Sequence, residues 1–153
     1  MGQLVNGGRD AGAQVKNRFL ESLPSLGKLI KTKQNEAEKG FVSSLDGRPI
    51  RITKSDSGGY DTRKALNSLL QSSGAIFAKH WLYFTNLYLE HNNIDAVVVI
   101  CYHDEVCVDC HESVVERVKK AIRYGVQTAD RVLKTNCPND IDIKVGKTWA
   151  DVH

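Results

Sequence analysis

The stretch Val97-Val98-Val99-Ile100-Cys101-Tyr102-His103-Asp104-Glu105-Val106-Cys107-Val108-Asp109-Cys110 decides how the rest of the chain is read. It predicts two β-strands meeting at a tight turn, with His103-Asp104-Glu105 as the turn. The first arm is a run of β-branched and apolar residues, the pattern of a strand buried on both faces. The second arm alternates, with Val106 and Val108 on one face and Cys107 and Asp109 on the other, as a half-exposed strand does. Polar turns are the rule in hairpins, so a solvated tip is the plain reading of these three residues. Two adjacent carboxylates on a rigid tip are also the beginning of a divalent-cation site, because hard cations bind oxygen ligands that are held in place.

Around this hairpin lie 153 residues, enough for one domain with a real core. A hydrophobic content of 41% and a charged content of 25% are ordinary for a globular protein. Charge is unevenly spread. Up to Lys54 there are ten Lys/Arg against five Asp/Glu, a surplus of +5 that leaves −2 for the remainder of a chain whose net charge is +3. A basic front with an acidic focus behind it suits a phosphate-rich ligand approaching a metal site, and also a plain solvated helical face. No apolar run is long enough to span a membrane and the polar N-terminus is no signal peptide, so the expected location is the cytoplasm, with reduced cysteines.

Cys107-Val108-Asp109-Cys110-His111 matches the C-x-x-C-H spacing of covalent haem attachment. Against a haem or thiol-redox reading, two sulfurs three apart on a strand point to opposite faces, and no Met follows Met1 to serve as an axial ligand. Cys101 and Cys137 do not complete a second pair for zinc.

Along the chain, residues 3–20 predict a helix with Leu4, Val15, Phe19 and Leu20 on its apolar side. Leu23-Pro24 breaks it, and Ser25 is expected to cap a second helix to about Lys39. Residues 41–45 and 48–53 flank Asp46-Gly47, a two-residue hairpin signal, with Pro49 confining the ribbon to an edge or to free-standing use. Residues 54–60 read as a flexible loop. The longest helix is expected over 62–91, capped by Thr62 or Asp61, with Leu66, Leu69, Leu70, Ile76, Phe77, Trp81 and Phe84 on its core side. Arg63, Asn67 and Gln71 stand four apart, each about 40° from the last on a helix, and form one polar stripe. Such a stripe is a solvent-facing edge in most helices; it also presents the donors that meet base acceptors and phosphates. Residues 112–134 predict a strongly amphipathic helix, 137–140 a turn, and 141–145 a last strand. Gly146-Lys147-Thr148 lacks the leading glycine of a P-loop.

His103-Asp104-Glu105 and its flanking strands resemble motif C of the family A (Pol I-like) DNA polymerases. Arg63-Lys64-Ala65-Leu66-Asn67-Ser68-Leu69-Leu70-Gln71 resembles that family's R-x-x-x-N-x-x-x-Q segment, in wording most similar to replicative polymerases of short-tailed phages. The Asp46-Gly47-Arg48 ribbon resembles the family's G-R turn, and residues 19–26 resemble the segment that follows its nucleotide-binding helix. The end, Val145-Gly146-Lys147-Thr148-Trp149-Ala150-Asp151-Val152-His153, resembles the closing V-G-x-x-W-x-x-x-H. Nothing matches motif A (D-x-S-x-x-E/Q-x-R) or motif B (R-x-x-x-K-x-x-x-F/Y-G).

The resemblance implies an α/β (α+β) palm fragment: a small antiparallel sheet built on the His-Asp-Glu hairpin and the last strand, packed against long helices. Residues 1–40 would be a helical segment derived from the fingers, and 41–153 the C-terminal part of the palm. It further implies Asp104 as a ligand of catalytic Mg²⁺, Glu105 as a weaker or indirect one, and His103 at the primer terminus. Arg63, Asn67 and Gln71 would contact primer–template DNA, and His153 would end near the active site. Because two Mg²⁺ ions need carboxylates on both sides, the missing motifs imply an upstream polymerase fragment as partner, with dNTP and DNA as the remaining ligands. The alternative is a non-catalytic remnant that binds DNA weakly.

Overall fold

In the computed structural model, which describes residues 9–56, 58–102 and 104–152, the chain divides into two compact units, Met1–Leu70 and Gln71–His153. The first opens with helices α1 (Arg9–Ser22) and α2 (Pro24–Ala37). Pro24 occupies the first turn of α2, where its missing N–H costs nothing. Leu23 stands at the cap without a side-chain hydrogen bond, so the expected cap at Ser25 does not form. Val15 and Phe19 of α1 remain 46% and 53% exposed, so the apolar side predicted for this helix is not covered; Leu4 lies outside the described residues.

Strands β1 (Phe41–Ser43) and β2 (Pro49–Arg51) form a free-standing antiparallel ribbon, as Pro49 requires. Its turn holds three residues where two were expected. Ser44 N donates to Arg48 O at 2.9 Å and Gly47 N to Ser44 O at 3.1 Å, with Gly47 at φ +83°. The left-handed glycine closing a turn of this length is the common three-residue solution. Asp46 fastens it, accepting from the Ser44 hydroxyl and from Arg48 Nε at 2.6 Å. Its carboxyl falls from 3.8 to about 2, mainly through the Ser44 hydrogen bond. The ribbon is tied to α2 by Glu36, which accepts from Ser43 N at 2.8 Å and from Lys33 Nζ at 2.9 Å. Ala37, Val42, Ile52 and Ala65 make the core of this unit, with Leu69 against them. The loop 54–60 is pinched at its base by a Lys54–Tyr60 bridge and a 2.7 Å Ser55 N to Gly59 O hydrogen bond.

Helix α3 (Ala65–His91) begins in the first unit and continues in the second. It is preceded by a 3₁₀ turn, Thr62–Lys64, and Asp61 makes no capping hydrogen bond. Leu70, expected in the core, is 59% exposed. The helix stops in a Schellman arrangement. Ile94 N reaches Leu89 O at 3.0 Å, Asn93 N reaches Glu90 O at 3.1 Å, and Asn93 takes φ +48°.

The chain then enters β3 (Ala96–Tyr102), turns into β4 (Glu105–Cys110) and continues through a 3₁₀ turn into α4 (Val115–Leu133). Among the described residues the two strands pair only with each other. Val106, Val108 and Cys110 face inward onto α3 and α4, in two clusters around Leu89, Ile94, Val118 and Ala121 and around Trp81, Val126 and Ala129. α4 crosses α3 at Gly125, where an added Cβ would lie 2.3 Å from Thr85 Oγ1 and 2.8 Å from Trp81 O. Trp81 Nε1 donates across the same crossing to Ile122 O at 3.2 Å. Val132, in the last turn of α4, is exposed.

Two expectations fail in this unit. Residues 141–145 form no strand. No ladder partner is offered to them among the described residues, and Ile141 is held by packing against the second cluster. Strand β3 is also not buried on both faces. Helices cover one face only, and Val97 (59%), Ile100 (39%) and Tyr102 (65%) stand exposed on the other.

Gly125→Ala is expected to destabilise the protein by about 1–3 kcal/mol, because the crossing has no room for a methyl group. Adding Thr85→Ala, which removes the nearest atom, should return part of that loss. Urea unfolding checks this, and strictly additive effects of the two substitutions would contradict the contact.

Candidate active site

The hairpin tip is built by the pairing of its arms. Tyr102 pairs with Glu105 as the last rung of the ladder, leaving Asp104 in the turn. A shift in register between Val98 and Ile100 marks a bulge at Val99. An extra residue of this kind twists the strand and re-aims the side chains beyond it. Beyond the bulge Cys101 lies opposite Val106 on the inner face, while Ile100 and Tyr102 lie opposite Cys107 and Glu105 on the outer one. The two carboxylates are therefore not equivalent. Asp104 is an exposed turn residue at the apex. Glu105 is already a rung of the sheet, sharing its face with Tyr102. His103 and His153 lie outside the described residues.

Asp104 and Glu105 present hard oxygen donors of the type that suits Mg²⁺. Among the described residues, however, no group of three or more His, Cys, Asp or Glu comes together that could hold a metal ion. The two carboxylates of the tip are not part of any such group.

The polar stripe is only partly one helix face. Asn67 and Gln71 stand one turn apart on α3, both exposed, whereas Arg63 sits in the preceding 3₁₀ turn. Arg63 is exposed and held by Asp61, with Nε 3.0 Å from Oδ1. Lys64 approaches the same carboxylate at 3.7 Å. The ion pair, chiefly its hydrogen bond, lowers the Asp61 carboxyl below its ordinary value and raises the guanidinium. Sequence reading considered Asp61 only as a cap; the acid two and three residues before Arg63 and Lys64 was the available signal. Arg63 and Asn67 belong to the first unit, and Gln71 and the tip to the second.

A further feature escaped sequence reading. The Asp151 carboxylate gathers the chain end, accepting from Lys147 N at 2.9 Å, Thr148 N at 2.7 Å and Thr148 Oγ1 at 2.9 Å. Thr148-x-x-Asp151 is a capping box around the 3₁₀ turn Trp149–Asp151, and it fixes the residues just before His153. These hydrogen bonds, first among them that from Thr148 N, hold the Asp151 carboxyl below its ordinary 3.8.

The C-x-x-C-H match dissolves in the sheet. Cys110 packs in the inner cluster, while Cys107 pairs with Ile100 on the outer face. Burial, with Asp109 beside it, pushes the Cys110 thiol up, away from the reactive thiolate. No helix among the described residues is long and apolar enough to cross a membrane.

Comparison with known proteins places the chain in one class. The family model for DNA polymerase family A matches residues 1–151. The chain belongs to that family. It is 31% identical over its whole length to the DNA-directed DNA polymerase of Escherichia phage Phieco32, of which it spans 25%. It is 26% identical to the DNA-directed DNA polymerase of Escherichia phage T7, spanning 24% of it, and 28% identical to DNA polymerase I of Pseudomonas aeruginosa, spanning 16%. The chain thus covers about a quarter of the phage relatives. Among solved structures, the POL domain of Pol1 from M. smegmatis, in complex with DNA primer-template and dNTP, matches with a TM-score of 0.74 and 17% identity. The match covers 84% of this chain and 24% of that one.

For Asp151→Ala, the amides of Lys147 and Thr148 are expected to lose protection in hydrogen exchange while those of α3 and α4 do not. The pH dependence follows from the sign of the shift. A lowered carboxyl stabilises the hook fully above its ordinary 3.8 and loses that effect as pH falls through the lower folded value. Protection at these amides that ignores both the substitution and acidification would contradict the role of Asp151.

Proposed function

We propose that this chain supplies the motif C side of a family A DNA polymerase active site. It would act in nucleotidyl transfer onto a primer, as half of a split enzyme whose motifs A and B come from an upstream polypeptide. The observation that carries this reading is the tip: an exposed Asp104 at the end of β3–β4, on a sheet whose outer face is bare. Membership of the family supplies the reaction class, and the relatives named as polymerases support it.

In this reading Asp104 holds Mg²⁺ directly and Glu105, tied into the ladder, contributes less. Two Mg²⁺ ions, when bound, neutralise charge on the transferring phosphate. The carboxylates facing Asp104 come from motif A. His103 positions the primer terminus, and Arg63, Asn67 and Gln71 contact primer–template DNA. Arg63 must exchange or share its Asp61 partner to reach a phosphate. The Asp151 hook sets the path of the chain toward His153 at the edge of the site. Residues 1–40 belong with the fingers and 41–153 with the palm, and the assembled enzyme works in the cytoplasm. Val97, Ile100 and Tyr102 are covered by the polypeptide that carries motif A, whose strand adds to the free edge of β3.

The chain mixed with the upstream fragment, primer–template, dNTP and Mg²⁺ should extend the primer, and neither part alone should do so. Asp104→Ala should abolish nearly all incorporation, a loss of about a thousandfold or more given the scale of direct charge stabilisation, with association intact. Glu105→Ala should lose less. Full extension by the Asp104→Ala mixture would overturn the assignment of the tip. No extension by the wild-type mixture would leave a non-catalytic remnant.

A further inference from the structure

Helix α4 carries a feature that the reading of the tip does not use. A groove of about 530 Å³ lies within the second unit, lined by Tyr88 of α3 and by Glu116, Lys119, Lys120, Arg123 and Tyr124 of α4. Three cations face one carboxylate. Lys119 Nζ is paired to Glu116 Oε1 at 2.8 Å, Arg123 has Asp140 only at 3.9 Å, and Lys120 makes no ion pair with the described residues. Lys119, Lys120 and Arg123 stand on two adjacent turns, and the two carboxylates beside them leave a surplus of positive charge that an anion would offset. The floor is aromatic. The Tyr88 and Tyr124 rings meet at 4.8 Å between centroids and 47° between planes, which fixes both, and Tyr124 is 40% exposed.

We infer that this groove binds single-stranded nucleic acid, with Lys120 and Arg123 on backbone phosphates and a base stacked on the Tyr88–Tyr124 pair. A cationic track beside an aromatic platform is how single strands are held without sequence choice, since every base has a π-face and every linkage a charge. An acidic peptide would use the cations and leave the ring pair idle, so the tyrosines favour nucleic acid. The inference does not depend on the role of Asp104, because no groove residue lies on the β3–β4 hairpin. It would give the chain a hold on a strand at a place other than the tip.

Fluorescence anisotropy of a short labelled oligo-dT with the full chain tests it. Lys120→Glu/Arg123→Glu should weaken binding about tenfold or more and flatten its salt dependence. Tyr124→Leu, which leaves the charge alone, should weaken it about fivefold or more. Lys144→Glu/Lys147→Glu changes the charge equally in the same unit and should retain most of the affinity; circular dichroism and thermal melting show that each variant is folded. Binding indifferent to the groove substitutions, or lost equally in Lys144→Glu/Lys147→Glu, overturns the inference. So does an unchanged affinity in Tyr124→Leu with displacement of the oligonucleotide by poly-glutamate, which would assign the groove to an acidic partner. Failure of primer extension alone would bear on the tip and not on this groove.

Discussion

The absence of a side chain at Gly125 lets α4 come down onto α3 until Thr85 Oγ1 and the Trp81 carbonyl fill the place of a Cβ. Thr85 Oγ1 is buried there without a hydrogen-bond partner among the described residues, a cost of about 1–3 kcal/mol that the packing around it must exceed. The crossing matters because β3 and β4 rest on it. Their inner residues Val106, Val108 and Cys110, each half-buried, rest on the surface that α3 and α4 make together, and the apolar area they remove from water stabilises the pairing by roughly 25 cal/mol per Å². The height and direction of the tip are thus set from beneath by a helix contact more than ten residues away along the chain in either direction.

What could be read from the sequence was whatever depends on local periodicity. The alternation of β4 and the amphipathic pattern of α4 place Val106, Val108, Val118, Ala121, Val126 and Ala129 where the core has them. The ribbon at Pro49 was legible for the same reason, because a missing N–H is a local fact. Gly125 was not legible: a glycine within a helix looks like a weakness until the opposing Thr85 is known. The three-residue turn at Leu45-Asp46-Gly47 was misjudged because the side chain of Asp46, and not the dipeptide, decides where the ladder closes. Ile141 and Ile143 alternate like a strand, yet alternation names a face and cannot supply a partner.

The candidate site divides in the same way. That Asp104 and Glu105 share a hairpin tip was evident from the residues, but their inequivalence required the register, which draws Glu105 into the ladder and leaves Asp104 in the turn. The Asp61–Arg63 pair and the Asp151 hook went unseen because each joins a side chain to groups whose spacing is common in unstructured turns.

The bare outer face of β3 gives the proposed arrangement its sharpest consequence. A two-stranded sheet with helices on one face only is an incomplete layer, and Val97, Ile100 and Tyr102 are exposed to the extent expected of an interior surface without its cover. Hydrogen exchange across Ala96–Tyr102, in the chain alone and mixed with a polypeptide carrying motifs A and B, tests this directly. Addition of a strand should slow exchange of the outward amides of β3 by at least an order of magnitude while the exposed amides of α1 stay as they were. Equal exchange in the two samples, at concentrations where the mixture extends a primer, would contradict completion of the sheet by that polypeptide.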